Sequence, residues 1–309
     1  MLPEKFLENL REIYNEKTEE IIKSFYVNKK KTFRINFLKI SDFAKLEFLL
    51  NKEDVKYERL LYPSEFYILK SDFRAFQETE VYKNSFVYVQ NPSSYIPVLV
   101  LDLKKNDRVL DLCAAPGSKT SAIAAILGGN GELFAVEKSR NRFFKLKALL
   151  KEQGGAFVNT FLYDGSKFFY KYNEYFDKVL VDVPCSSEAR FNINEPESIS
   201  SWNHKKSKNL QKLQKSLLYS AINSAKKGGI IVYSTCTFSI LENEIVVDWA
   251  LKKFHNNLKL IELDIPLDNV LDGLIKWKKK DLEPTLTYCK RIIPNNIFEG
   301  FFIAKFRKI

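Results

Sequence analysis

The spacing of hydrophobic residues divides the chain into two regions that differ in their pattern of predicted helices and strands. In the first 90 residues the pattern changes over short stretches, from the period of amphipathic helices to the alternation of strands. It predicts helices at 4–26 and 41–50, the second capped by Ser41, and strands at 32–37, 55–61 and 67–70. We therefore expect a small α+β unit over residues 1–90. This region has no glycine, so it offers no phosphate-cradling loop.

From residue 91 onward, helix-like and strand-like segments alternate in the rhythm of βαβ units. The predicted strands are 108–112, 132–136, 157–162, 178–181 and 230–234, and the tail adds others such as 300–306. The predicted helices are 93–103, 119–127, 139–153, 204–226 and 239–254. This pattern predicts an α/β protein with a doubly wound, Rossmann-like parallel sheet over residues 91–309.

Composition and charge narrow the functional classes. The chain has 309 residues, 45% of them hydrophobic and 28% charged, which argues against a disordered, collagen-like or coiled-coil protein. No apolar run is long enough to span a bilayer, and the charged N-terminus does not resemble a signal peptide. The four cysteines form neither a disulfide framework nor a CxxC metal pattern, so we expect the protein to reside in a reducing cytoplasm. The net charge of +11 favours a polyanionic partner, nucleic acid before a membrane surface.

A loop of small residues joins the first strand of the predicted sheet to the following helix. Residues 108–120 read RVLDLCAAPGSKT, and small side chains let a ligand approach the backbone at the N-terminus of a helix. Ser118 stands where a P-loop requires glycine before lysine, and the G-x-G-x-x-G dinucleotide pattern is absent. The loop therefore suits a smaller group, such as the methionine part of S-adenosylmethionine.

Two acidic residues at later strand ends fit the same ligand. Glu137 ends the second predicted strand, where a carboxylate can accept hydrogen bonds from both ribose hydroxyls. Asp164 follows the third strand, where a short acid can meet an adenine amino group. Each alone is typical of a solvated loop, but together with the small-residue loop they predict a nucleoside cofactor site.

Two cysteines follow the fourth and fifth strands of the predicted sheet. Asp182 and Cys185 come directly after 178–181, and Cys236 comes directly after 230–234, so all three are expected at one sheet edge. Ser239 and Glu242 have the spacing of a capping box. Cys236 is thus expected just upstream of a helix N-terminus, where the pKa of a thiol falls.

Other cysteine chemistries fit the spacing less well. A tyrosine-phosphatase loop needs arginine six positions after the cysteine, and position 242 is Glu while Arg190 is only five positions after Cys185. The two histidines of the chain lie in lysine-rich segments, and the cysteines lack zinc spacing. We expect Cys113 to serve the loop by its small size and Cys289 to be structural.

The motifs LDLCAAPGSKT (110–120), DVPCSS (182–187) and YSTCTFSILENE (233–244) closely resemble those of the Sun/Nop-type, RsmB/RsmF-like RNA cytosine-5 methyltransferases. The resemblance extends over about residues 85–309, with a fainter likeness at 33–39. It implies the class I methyltransferase fold and an S-adenosylmethionine-dependent enzyme. One departure is Ala189, which replaces a glycine of the turn that usually follows PCS and implies a different local backbone.

The resemblance implies a role for each motif residue. Cys236 would be the nucleophile, Cys185 would assist product release, and Asp182 and Lys119 would contact the target base. Glu137 would bind the cofactor ribose and Asp164 the adenine, with Asp182 also beside the cofactor. The methionine end would be held by the loop residues Cys113, Ala114, Ala115, Pro116, Gly117, Ser118 and Lys119. No metal is expected.

This chemistry requires a thiol because carbon 5 of cytosine is a poor nucleophile. Addition of a thiolate at carbon 6 makes an enamine-like ring, which is covalent catalysis. A proton or hydrogen bond at ring nitrogen 3 balances the developing charge. The base must be unstacked to enter such a pocket, so a loop or flipped nucleotide of RNA is the expected substrate.

Three clusters of basic residues are candidates for RNA contact. They lie at 138–147, at 204–215 and around Trp277, and the second is favoured because it directly follows the Cys185 loop. We expect a cytoplasmic monomer that acts on ribosomal RNA, with transfer RNA as the alternative and no membrane partner. Two other classes compete with this function. A non-catalytic RNA-binding or ribosome-assembly protein is disfavoured because the cofactor and cysteine motifs are complete. A Rossmann-type oxidoreductase is disfavoured because the glycine fingerprint is missing.

Overall fold

The computed structural model describes residues 2–200 and 202–309, with the backbone alone at 204–206. At the N-terminus, helix α1 (Glu4–Tyr14) is followed by a 3₁₀ turn at Asn15–Lys17 and helix α2 (Thr18–Ser24). The prediction of one helix over 4–26 is therefore wrong. The chain breaks at Asn15, whose φ of 44° is incompatible with a continuing helix.

The rest of the N-terminal region folds around a small antiparallel sheet. Its strand order is β2-β3-β1-β4. The elements are β1 (Thr32–Ile35), α3 (Phe43–Lys52), β2 (Tyr57–Arg59), β3 (Phe66–Leu69), α4 (Phe73–Gln77), α5 (Glu80–Lys83) and β4 (Val87–Val89). Helix α3 is capped by Asp42, which accepts from the Lys45 amide at 2.8 Å, and not by Ser41 as predicted. Ser41 instead donates to the Asp42 carboxylate.

The parallel sheet predicted for the remainder is confirmed. Helix α6 (Ile96–Leu99) leads into β5 and is much shorter than predicted, because a 3₁₀ turn at Pro92–Ser94 precedes it and the chain turns away directly after it. The parallel strands run in the order β7-β6-β5-β8-β9. Their bounds are β5 (Arg108–Asp111), β6 (Glu132–Glu137), β7 (Asn159–Leu162), β8 (Phe176–Asp182) and β9 (Ala225–Thr235).

Antiparallel strands extend this sheet beyond β9. Strand β15 pairs with β9, then β14 with β15 and β11 with β14, while β10 also pairs with β15. The bounds are β10 (Leu258–Ile261), β11 (Val270–Asp272), β14 (Lys290–Ile292) and β15 (Phe301–Lys308), with a hairpin of β12 (Lys276–Trp277) and β13 (Lys280–Asp281) beside them.

Helices cover both faces of the large sheet, as a doubly wound fold requires. One core joins the sheet to α7 (Ser118–Leu127) and α8 (Arg140–Glu152). The other face carries α9 (Glu197–Ser200), α10 (His204–Ser224) and α11 (Glu244–Lys253). Helices α1 and α2 join the second core; Phe6 packs edge-on against Phe191 with ring centroids 5.0 Å apart.

The order of the parallel strands reverses at β5. From β5 the chain proceeds to β6 and β7 on one side, then returns to β8 and β9 on the other. The carboxyl ends of β5 and β8 therefore flank a topological switch point, which is where open α/β sheets bind ligands. In the two described segments, no helix combines the length and apolarity needed to cross a bilayer.

A buried arginine connects the small sheet to this edge. The guanidinium of Arg34, on β1, donates to the side chains of Gln90 at 2.9 Å and Ser121 at 2.8 Å. Ser121 lies in the first turn of α7, so Arg34 links the N-terminal sheet to the helix that follows the small-residue loop. Burial lowers the pKa of Arg34 to about 10, which leaves it charged at neutral pH.

Candidate active site

A cleft of about 460 Å³ opens at the switch point, and we call it the central cleft. Its walls include most of the residues singled out from the sequence: Cys113, Ala114, Ala115, Pro116, Ser118, Lys119, Asp182, Cys185 and Cys236. Gly117, Glu137 and Asp164, also singled out from the sequence, are not among the described residues that line it. Residues of the small sheet complete it, Tyr88 and Gln90 among them.

The small-residue loop turns sharply between β5 and α7. Gly117 has a φ of 116°, and a Cβ at this position would lie 3.0 Å from Leu146 Cδ1 and 3.1 Å from Leu149 Cδ2. Only glycine combines that backbone with such close packing against α8. The Ala114 amide donates to the Val136 carbonyl at 2.9 Å, which holds the loop across the end of β6.

The two acids predicted to contact a nucleoside end neighbouring strands. The Tyr163 amide, one residue before Asp164, donates to the Glu137 carbonyl at 3.1 Å, so these strand ends are adjacent. The buried Glu137 carboxylate accepts from the Ser139 amide at 2.7 Å and lies 3.5 Å from the Arg142 guanidinium. Burial raises the pKa of Asp164, but hydrogen bonds from Lys138 and Ser166 outweigh it and lower the pKa overall.

Lys119 and Asp182 form an ion pair inside the central cleft. Lys119 Nζ lies 2.6 Å from Asp182 Oδ2, and the Ser234 hydroxyl donates to Asp182 Oδ1 at 2.8 Å. The lysine side chain is 8% exposed and the aspartate 26%. Each carboxylate oxygen thus has a partner, and the carboxylate is held in a fixed orientation in the cleft wall.

Cys185, which follows β8, and Cys236, which follows β9, lie next to each other. Their sulfur atoms lie 3.3 Å apart, with either thiol able to donate to the other. The pKa of Cys236 is lowered to about 7, chiefly by the hydrogen bond from Cys185 and also by Arg190 and Ser187, while burial opposes the shift. The pKa of Cys185 is raised by the bond to Cys236 and by burial. Cys236 is therefore the more readily ionised thiol of the pair.

The cause of this low pKa is different from the one the sequence suggested. Helix α11 begins at Glu244, eight positions beyond Cys236, and its cap is Asn243. The capping box predicted for Ser239 and Glu242 is wrong, because a backbone turn carries the chain through 239–243 before the helix starts. Neighbouring side chains, not a helix N-terminus, stabilise the thiolate.

Two buried carboxylates fix the cysteine loops to each other. Glu188 accepts from the Thr237 hydroxyl at 2.8 Å and from the Phe238 amide at 3.1 Å. Glu242 accepts from the Ser186 amide and from Gln214 Nε2, both at 2.9 Å. Sequence reasoning missed the roles of Glu188 and Gln214. Glu188 interrupts a run of small residues directly after the PCS motif, which is a usable signal; Gln214 sits in an ordinary amphipathic helix and gives none.

Ala189 has a definite place in this arrangement. It is buried in a 3₁₀ turn at Glu188–Arg190, and its amide donates to the Cys236 carbonyl at 3.2 Å. The left-handed residue is Ser187, with a φ of 58°. Space for the alanine methyl comes from Gly300, where a Cβ would approach Ala189 Cβ to 3.0 Å and the Phe238 ring more closely still.

In the basic clusters, some side chains contact acidic or carbonyl groups of the protein and others are exposed to solvent. In the cluster at 138–147, Lys138 pairs with Asp164, and Arg142 donates to the Ala115 carbonyl as well as facing Glu137. In the cluster at 204–215, Lys208 and Lys212 are exposed, whereas the side chains of Lys205 and Lys206 lie outside the described residues. Around Trp277, Lys278 lies near Glu12 and Lys280 near Asp248.

Comparison with known proteins identifies a family. Residues 98–307 match the family model described as 16S rRNA methyltransferase RsmB/F. A tRNA (cytosine(49)-C(5))-methyltransferase from Pyrococcus abyssi is 37% identical over 244 residues, which cover 79% of this chain and 76% of that protein. Ribosomal RNA small subunit methyltransferase F from Salmonella arizonae is 32% identical over 99% of this chain but only 63% of its own length. The resemblance inferred from the motifs is confirmed.

A solved structure agrees with the fold. A methyltransferase homolog protein from Pyrococcus horikoshii superposes with a TM-score of 0.86 at 28% sequence identity, covering 99% of this chain and 95% of that one. The class I methyltransferase fold expected from the sequence is therefore confirmed, and the likeness to this structure also extends over the N-terminal region.

Proposed function

Since the chain belongs to the RsmB/F family of 16S rRNA methyltransferases, we propose that it methylates carbon 5 of a cytosine in RNA, using S-adenosylmethionine. The observation that carries this proposal is the meeting of two cysteines, 3.3 Å apart, with the Lys119–Asp182 pair in one cleft. That set provides a nucleophile, a second thiol and a charged group for the ring, which are the parts that cytosine-5 chemistry needs.

The described residues fit the cofactor. Asp111 ends β5 in the wall of the central cleft, and its Oδ1 is buried without a hydrogen-bond partner in the described part of the chain. Burial raises the pKa of Asp111 to about 6. A cationic amino group is the natural partner for such a carboxylate. We assign the methionine end to residues 113–119, the ribose to Glu137 and the adenine to Asp164. When bound, the cofactor supplies an electrophilic methyl group.

Cys236 begins the reaction on the cytosine. Its thiolate forms a bond to carbon 6, and the electron pair of the 5,6 double bond becomes available at carbon 5 for methylation. Asp182, held by Lys119 and Ser234, is assigned to ring nitrogen 3, where its carboxyl group passes on a proton from the Lys119 ammonium and so neutralises the negative charge that develops on the ring. We assign this role to Asp182 because its carboxylate is already oriented before the base arrives.

Cys185 completes the cycle. After methylation the hydrogen on carbon 5 must leave as a proton, the 5,6 double bond must re-form and the bond from carbon 6 to Cys236 must break. Cys185 is the thiol beside Cys236, and we assign it to this release step: after losing its own proton to solvent, its sulfur accepts the proton from carbon 5. The thiolate of Cys236 is regenerated as the leaving group.

We propose ribosomal RNA as the target. The family model is one for 16S rRNA enzymes, and the small-subunit relative matches nearly the whole chain. The 37% identity to a transfer RNA enzyme makes transfer RNA the second candidate. Tritium transfer to 16S rRNA and to bulk tRNA in parallel decides between them. We also propose that the enzyme acts as a cytoplasmic monomer and that residues 1–90 form a unit that positions the RNA.

A covalent adduct tests the proposed chemistry. We expect Cys185→Ala, incubated with RNA and S-adenosylmethionine, to yield a protein–RNA species that survives denaturing electrophoresis. The matched control is the Cys185→Ala, Cys236→Ala double variant, which should give none. Persistence of the adduct in the double variant would refute Cys236 as nucleophile, and a protein that binds RNA but forms no adduct would be a binding protein that retains the fold.

A further inference from the structure

The described residues enclose a second cavity, of about 210 Å³, which we call the side cavity. Helix α1 forms one wall, the described start of α10 another, and the segment after Cys236 and the β12–β13 hairpin form the others. Phe6, Leu10 and Phe238 provide a buried apolar floor, whereas Trp277 is only partly buried. The tryptophan is therefore the aromatic surface of this cavity that a ligand can reach.

The polar part of the lining is rich in lysine. Lys208 is exposed, and no carboxylate pairs with it in the described part of the chain. Lys278 Nζ lies 5.4 Å from the centre of the Trp277 ring, and Lys5 is the third lysine of the lining. Two of the basic clusters identified in the sequence, at 204–215 and around Trp277, thus meet at one cavity.

Acidic residues do not cancel this positive charge. Among the described residues that line the side cavity, Glu188 is the one acid, and its carboxylate already accepts hydrogen bonds from three protein groups. Lys5 and Lys278 have acidic neighbours on α1, at 2.6 and 3.9 Å, but these neighbours lie outside the lining. Three cations therefore face one acid that is already bound, so the cavity favours an anionic ligand.

The side cavity shares a wall with the central cleft. In the turn at Glu188–Arg190, Arg190 lines the cleft and Glu188 lines the side cavity; in the next strand-end segment, Cys236 lines the cleft and Phe238 the side cavity. The two segments are bonded, because the Glu188 carboxylate accepts from the Phe238 amide at 3.1 Å. Two residues of chain span at most about 7 Å. A nucleotide that neighbours a base in the central cleft can therefore reach the side cavity.

We propose that the side cavity binds a second nucleotide of the RNA substrate, one that neighbours the target cytosine, with its base against Trp277 and its phosphate near Lys208 and Lys278. This deepens the proposed function and rests on it. Proteins that bind single-stranded nucleic acid combine aromatic side chains for the bases with a positive groove for the backbone. An apolar floor beside three lysines suits a nucleotide, because it joins an aromatic base to an anionic phosphate.

The salt dependence of RNA binding by the full chain tests the proposal. The probe is a fluorescently labelled single-stranded RNA of mixed sequence, and anisotropy gives its affinity at several salt concentrations. We expect Trp277→Leu to weaken binding about 5- to 100-fold with an unchanged salt dependence, the range for the loss of one base–aromatic contact. Trp277→Phe should keep most of the affinity. Lys208→Gln should reduce the slope of log K against log salt by about 0.7, the value for one phosphate contact on a single strand.

Trp249→Leu and Lys227→Gln are the matched controls. Trp249 also has a lysine over its ring, Lys215 at 5.7 Å, but it lies on α11 and outside the lining of the side cavity. Lys227 is exposed near the amino end of β9, at the edge of the sheet opposite to the central cleft. Both control variants should bind the probe as the unaltered protein does.

Thermal unfolding checks that each variant is folded, and the Lys208→Gln slope decides alone if Trp277→Leu is not. The proposal is overturned by an unchanged affinity in folded Trp277→Leu, by an unchanged slope in Lys208→Gln, by equal losses in the controls, or by an unaltered protein that does not bind the probe. The adduct experiment is independent of these results. An adduct without the expected losses would mean that other surfaces hold the RNA, whereas the expected losses without an adduct would refute the proposed chemistry alone.

Discussion

The sulfur atoms of Cys185 and Cys236 lie 3.3 Å apart, at the ends of two neighbouring parallel strands. One proton shared between two thiols makes them unequal: the donor keeps its proton and the acceptor loses its own more easily. Here the pKa of Cys236 falls to about 7 and that of Cys185 rises. The roles proposed for the two cysteines, Cys236 as nucleophile and Cys185 as release thiol, agree with this difference in pKa.

The first prediction concerns this contact. Cys236 must be ionised to react, so kcat/KM should rise with pH up to about 7 and then level off. Cys185→Ala removes the S–H donor, and the pKa of Cys236 should move upward. Cys185→Ser, which retains a hydroxyl donor, should lie between the two. The alkylation midpoint of Cys236 measures the shift; a midpoint that is equal in all three proteins would contradict the assigned hydrogen bond.

The fold and most of the site were predictable because their signals are local. Strands β5 to β9 were predicted from short hydrophobic runs that alternate with segments of helical periodicity. The motifs that follow these strands predicted Lys119, Asp182 and both cysteines as site residues. Since parallel strands present their carboxyl ends at one edge, residues far apart in sequence could be placed together.

What the sequence could not show depends on contacts between distant segments. Glu242 has the spacing of a capping residue, but its carboxylate is used by Ser186 and Gln214 instead. Glu244 similarly suits a helix start, yet it is buried against Arg291, with Arg291 Nε 2.6 Å from Glu244 Oε1. Glu242 thus leaves its predicted local role for tertiary partners, whereas Glu244 does begin α11 and binds Arg291 in addition; no pattern within one helix reveals either contact.

The second prediction tests the ion pair in the cleft. Asp182→Asn keeps the shape of the side chain but removes the carboxyl group that passes a proton to ring nitrogen 3, and we expect kcat to fall by about 10²- to 10³-fold. Lys119→Met should also lower kcat, because Asp182 loses the partner that orients it. Single-turnover methylation at saturating RNA measures both. If only KM for RNA changes, the pair binds substrate and has no part in the chemical step.

The third prediction concerns the turn at Gly117. Gly117→Ala introduces a Cβ at a φ of 116° that also meets two leucine side chains of α8 at 3.0 and 3.1 Å. Gly129 provides a matched control, since it too has a positive φ, 81°, but an added Cβ meets nothing within 4 Å. Both alanine variants strain the backbone, but only Gly117→Ala also overpacks its surroundings. We expect Gly117→Ala to lose about 1–3 kcal/mol more unfolding free energy than Gly129→Ala.

Cofactor binding separates the two glycine variants further. Calorimetric titration with S-adenosylmethionine should show weaker binding for Gly117→Ala and unchanged binding for Gly129→Ala. Equal binding by both variants would mean that the small-residue loop does not hold the cofactor.

The last prediction follows from the buried carboxylate of Glu188. Burial raises the pKa of Glu188 to about 7, despite hydrogen bonds from Trp202, Thr237 and Phe238 that lower it. The unfolded chain has an ordinary glutamate, so between about pH 4.5 and 7 the folded state binds the extra proton, and stability falls as pH rises through this window. A shift of this size corresponds to at most about 3 kcal/mol.

Glu188→Gln removes that titration. Its amide cannot accept from all three donors, so the variant should be less stable than the unaltered protein at pH 5, with the gap narrowing towards pH 8. Urea unfolding at several pH values measures the gap. A gap that is constant across this range would show that Glu188 titrates normally in the folded protein, and the cysteine loops would then be bridged by a charged carboxylate at every pH at which the enzyme works.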